Sequence, residues 1–157
     1  MKVFLTRLLF LLSLFANCQP AKIPYSEKDV QLLKEVFEES QKLHEGLLLP
    51  TPKLSIEGIQ RSVNALSSSD HPKIKDWKNQ LTENIPKNPN DLELSYDELS
   101  KFAITLAEIK NEVKLPDTYQ KFYCPMVERY WVSKDKEVRN PYSPEMRDCG
   151  EILQEPH

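Results

Sequence analysis

Four stretches of this chain carry apolar residues at spacings of three and four, and each is closed by proline, glycine or a polar break. No other feature restricts the fold as much, because an amphipathic helix must lay its apolar stripe against another element. The first stretch opens at Ser26, with Asp29 three residues on as a helix-start signal. Val30, Leu33, Phe37 and Leu43 mark its face, Leu32 and Val36 widen it, and Gly46 and Pro50-Thr51-Pro52 end it. The second can begin at Ser55 and gathers Ile56, Ile59, Val63 and Leu66 before the polar break 67–70. The third opens on Pro72, a residue suited to the first helical position, and continues through Ile74, Trp77, Leu81 and Ile85.

After the turn 86–90, Ser95 and Glu98 read as a capping box, with Leu94 able to staple onto Leu99. The stripe Leu99, Phe102, Leu106, Ile109 and Val113 then runs on to Pro116. Twelve prolines against three glycines fit short elements joined by stiff loops. The expected fold is mainly α: an antiparallel four-helix bundle with an irregular, aromatic-rich C-terminal segment packed on it. Within that segment a short hairpin is expected from 128–132 and 136–139.

Residues 1–17 read as a signal peptide. Lys2 and Arg7 precede an apolar stretch from Leu8 to Ala16, too short to span a bilayer and fitting for a leader. The run Leu14-Phe15-Ala16-Asn17-Cys18 resembles a relaxed bacterial lipobox, which implies acyl chains on Cys18, a lipidated tether over 18–25 and an exported lipoprotein at a membrane, facing the periplasm or cell exterior. The alternative is an ordinary secretory peptide in which Cys18 has no role. Residues 26–157 then form one helical domain. Beyond residue 17 there are 19 basic and 24 acidic side chains and no long basic run, which argues against nucleic-acid binding. No Ser/His/Asp or Cys/His order, phosphate loop or two-histidine metal helix is present, so no enzymatic activity is expected.

Both remaining cysteines lie in two short motifs, Cys124-Pro125-Met126 and Met146-Arg147-Asp148-Cys149. Pro125 biases Cys124 towards extended backbone, which turns residues 124 and 126 to one side. Met146 and Cys149, three apart, meet on one helical turn. Two thiolates and two thioethers form a soft donor set that selects Cu(I) before zinc. A Cys124–Cys149 disulfide with methionine filler is the structural alternative in an oxidising compartment, and the two can be one site in two redox states. His44, near the end of the first helix, is a candidate further ligand or a partly exposed residue favoured by the helix dipole. Trp131, Tyr130 and Tyr142 either wall the sulfurs against water or pin the segment to the helices, and Arg139-Asn140 can bond local carbonyls.

Tyr123-Cys124-Pro125-Met126, Tyr130-Trp131, Arg139-Asn140-Pro141-Tyr142 and Met146-x-x-Cys149-Gly150 together resemble the domain-of-unknown-function family 3347. That family is described as a binding domain, found alone or fused to periplasmic adaptors of copper and heavy-metal efflux pumps. The resemblance implies a metal role for Cys124, Met126, Met146 and Cys149, a supporting role for Trp131, Asn140 and Tyr142, and heavy-metal efflux components as partners. This chain departs from the family at Tyr123, where many relatives carry histidine, and at Ser143-Pro144, where an aromatic-Gly pair is usual.

Overall fold

The computed structural model describes residues 23–154. The leader, Cys18 and residues 18–22 of the tether lie outside the described residues. Helix α1, Glu27–Leu47, starts at a reciprocal capping box. Ser26 Oγ accepts from the Asp29 N–H at 3.1 Å, and Asp29 Oδ2 accepts from the Ser26 N–H at 2.9 Å. The Ser69 hydroxyl donates to Asp29 Oδ1, which ties this helix start to the connection ahead of α3. Helix α2, Glu57–Ala65, begins two residues beyond Ser55, whose hydroxyl donates to Glu57 Oε2 at 2.6 Å. Helix α3, Pro72–Glu83, opens on its proline, and Ile74, Trp77 and Leu81 point into the core.

Helix α4, Leu92–Glu112, starts one turn ahead of the expected capping box. Asp91 is its cap, accepting from the Leu94 N–H at 3.2 Å. Ser95 is instead fully buried and donates to the Asn88 carbonyl at 3.1 Å. Glu98 accepts from the Lys87 N–H, and Leu94 stays half-exposed, so no staple forms. Leu99, Phe102, Leu106 and Ile109 form the buried stripe as spaced.

The four-helix bundle does not form. The helices pack consecutively, α1 on α2, α2 on α3 and α3 on α4, and a sheet strand packs against both α1 and α4. That strand belongs to a three-stranded antiparallel sheet of β1 (Gln120–Cys124), β2 (Arg129–Ser133) and β3 (Glu151–Leu153), in the order β2-β1-β3. The C-terminal segment is therefore an ordered sheet, not an irregular cover. Phe122 faces Trp131 across β1 and β2, and Tyr123 faces Glu151 across β1 and β3. The expected partner strand at 136–139 is loop; β2 pairs upstream with β1.

The backbone explains why an edge strand can replace a helix here. An edge exposes unpaired N–H and C=O groups that need partners. Ser100 Oγ of α4 accepts from the Tyr130 N–H at 2.9 Å, and the Tyr142 hydroxyl donates to the Tyr130 carbonyl at 2.8 Å. Just past β2, Gln41 Oε1 of α1 accepts from the Lys134 N–H at 3.0 Å. Side chains from the helices and the C-terminal loop thus cap β2's outer edge at Tyr130 and just past its end.

Candidate functional site

Cys124 ends β1 and Cys149 precedes β3, and the two are joined by a disulfide with their Cα atoms 5.6 Å apart. Cys124 is fully buried and Cys149 partly so. Met126 stands in the β1–β2 turn, 71% exposed. Met146 closes a 3-10 turn, Pro144–Met146, and its carbonyl accepts from the Cys149 N–H at 3.1 Å, so residues 146 and 149 share one turn. The fold therefore brings both cysteines to one point, each within three residues of a methionine.

Among the described residues, no group of three or more His, Cys, Asp or Glu side chains is placed to hold a metal ion. Met126 and Met146 are the thioether residues within three positions of the cysteines. Once reduced, two adjacent cysteines together with thioethers are donors that suit a soft ion of low coordination number.

Gly150 takes the chain from Cys149 into β3 at φ +147°, a conformation open to glycine. A Cβ there would meet Trp131 Cη2 at 2.7 Å and the Tyr123 carbonyl oxygen at 3.1 Å. Trp131 is buried, stacked on Phe122 at 5.3 Å and edge-on to Tyr142 at 6.2 Å. Tyr142 packs on Tyr96 of α4 at 5.3 Å, and burial pushes its phenol pKa well up. Asn140, fully buried, accepts the Tyr142 N–H on Oδ1 at 2.9 Å. Trp131 and Asn140 thus hold the C-terminal segment together, and Tyr142 ties it to α4.

Two arginines complete that attachment, and spacing gave neither away. Arg147, inside the Met-x-x-Cys run, donates to the Asn140 carbonyl at 2.6 Å and to the Leu47 carbonyl at the end of α1 at 2.9 Å. Arg129, opposite Cys124 on β2, reaches Glu93 at 3.1 Å and Asp97 at 2.9 Å on α4 and lies over the Tyr96 and Tyr142 rings. The only signal for them was a guanidinium close to each motif, and the helix partners Leu47, Glu93 and Asp97 lie far away in sequence.

His44 is buried, not partly exposed, and its Nε2 lies 2.8 Å from Asp135 Oδ2. It does not join the two cysteines in a three-residue cluster. Burial holds its pKa below the ordinary 6.5, against the opposing pull of Asp135. The neutral ring then donates from Nε2–H to the carboxylate and leaves Nδ1 as an acceptor. His71 stacks on Tyr25 at 4.2 Å and sits 3.1 Å from the Ile23 carbonyl, at the far end of α1.

No family model, curated protein or solved structure matches this chain.

Proposed function

We propose that this chain is an exported lipoprotein, anchored through Cys18, whose paired cysteines form a redox-gated site for a soft metal, with Cu(I) as the ion. The supporting observation is the convergence of Cys124 and Cys149, 25 residues apart in sequence, at a Cα separation of 5.6 Å. Reduction of the bridge by an external dithiol takes two electrons and two protons, and the dithiol becomes the disulfide. Cu(I) then displaces the two thiol protons, and Met126 and Met146 supply thioethers. Sequestration or transfer to an efflux partner is the role such a site would serve. No helix among the described residues is long and apolar enough to cross a membrane.

The test is mass analysis with and without thiol alkylation, followed by anaerobic Cu(I) titration of the reduced chain against a competing chelator. One ion taken up per chain supports the proposal. Replacing Met126 or Met146 by Leu should then weaken uptake while costing under about 1.5 kcal/mol of stability. No uptake by the fully reduced chain ends the metal reading.

The complete burial of Cys124 favours a second reading, in which the disulfide is a permanent staple of an envelope or interaction lipoprotein. A bridge that resists mild reductant in the folded protein supports that reading.

A further inference from the structure

Away from the sulfurs, one place gathers buried polar groups that the fold leaves without partners. Between α1, α4 and β2 lies a cavity of about 30 Å³. Leu43, Leu47, Leu99 and Phe102 line it on the apolar side, and Ser40, His44 and Trp131 are also among its lining residues. His44 and Trp131 are more than nine-tenths buried, and neither His44 Nδ1 nor Trp131 Nε1 has a hydrogen-bond partner in the protein. Buried donors and acceptors are almost always paired, so two orphans on one small cavity point to something between them.

The two nitrogens are complementary. An indole N–H can only donate. His44 Nε2 lies 2.8 Å from Asp135 Oδ2, and with Nε2–H donating there Nδ1 carries a free lone pair. A molecule that accepts from Trp131 and donates to His44 satisfies both. The cavity has room for a water, and two polar partners suffice to retain one where an all-apolar void stays dry.

We propose that this cavity binds a single structural water, which accepts from Trp131 Nε1–H and donates to His44 Nδ1. The chain Trp131–water–His44–Asp135 links β2, α1 and the loop after β2. It draws on Trp131 from the C-terminal motif and is independent of whether the cysteines hold a metal.

The experiment is NMR on the ¹⁵N-labelled full chain, solubilised in detergent, measuring cross-relaxation between indole protons and the water resonance. Trp77 is an internal reference, because its N–H is already bonded to Glu108 at 3.0 Å. The expected result is a bound-water cross-peak at Trp131 and none at Trp77. The His44 nitrogens should show an Nε2–H tautomer with a hydrogen-bonded, unprotonated Nδ1. His44→Leu should abolish the Trp131 cross-peak. A native chain lacking that cross-peak, or carrying its proton on Nδ1, overturns the proposal, as does a cross-peak unchanged in a folded His44→Leu variant. If that variant fails to fold, the native measurements decide alone.

Discussion

Asn140 and Arg147 hold the C-terminal loop through backbone groups, so their removal strands buried partners. Asn140→Ala leaves the Tyr142 N–H without its acceptor, and the expected cost is about 1–3 kcal/mol in denaturant unfolding. Arg147→Lys keeps the charge but loses the fork that spans the Asn140 and Leu47 carbonyls. We expect a loss of about 1–2 kcal/mol, since an ammonium cannot reproduce the planar two-carbonyl geometry. His44 adds a pH dependence. Its folded pKa lies below the unfolded 6.5 because burial disfavours the charged ring. The unfolded chain therefore binds more protons below that value, and the contribution of His44 is complete above about pH 6.5 and lost as the pH falls through the folded value. Asp135, Arg139 and Glu45 are the charged groups that act on it. His44→Gln should flatten that part of a stability–pH curve. Asp29 behaves similarly in a more acidic window. Burial opposes its ionisation, but hydrogen bonds from Ser69 and Ser26 outweigh this and hold its pKa below 3.8. Trp131, Asn140 and Tyr142 stood out in the sequence as a motif; their partners did not, because nothing local marks Arg147 for Asn140, the Tyr130 carbonyl for the Tyr142 hydroxyl, or Tyr96 for the Tyr142 ring.

At the scale of elements, capping and glycine geometry give opposed expectations that stability measurements can separate. Asp91→Ala should cost about 1 kcal/mol by removing the cap of α4. Glu98→Ala should change stability by no more than about 0.5 kcal/mol, because its bond to Lys87 is exposed. Gly150→Ala forces a Cβ into Trp131 and the Tyr123 carbonyl at a positive φ, and should cost more than about 2 kcal/mol with loss of the β1–β3 pairing. Gly58→Ala in α2 meets only the flexible carboxylate end of Glu39, so helix propensity should make it neutral or stabilising by up to about 1 kcal/mol. The helices were legible because their signals are local. Ser26 with Asp29 and the leading Pro72 mark the starts of α1 and α3, and threefold and fourfold apolar spacing marks the faces. The start of α4 was misplaced because Ser95 and Glu98 have the right spacing but spend their side chains on Asn88 and Lys87. The strands were largely illegible. β1 and β2 have five residues each and β3 has three, too few to state a period, and β3 reaches its place beside β1 from about thirty residues away.

In the whole molecule, the Cys124–Cys149 bridge closes a loop of 25 residues. On the chain-entropy account its loss costs roughly 3.5 kcal/mol. A Cys124→Ser/Cys149→Ser chain should therefore unfold at lower denaturant while keeping most of its helical circular dichroism, because the packing of α1 to α4 does not pass through the bridge. Collapse of the helical signal would show instead that the sheet organises the helices. The thiol pairing was visible in the sequence as one of two alternatives. The replacement of a bundle contact by a sheet edge was not, since it depends on Ser100 and Gln41 finding the backbone near β2 from elements far away in the chain. Helix α4 also fixes a polarity. Arg129, across from Cys124, is tied to Glu93 near its start, whereas the Tyr25 hydroxyl donates to Glu112 at its last residue. Those two attachment points are about 28 Å apart along the helix. The chain thus enters the described fold at one pole of α4, and the cysteine pair sits towards the other.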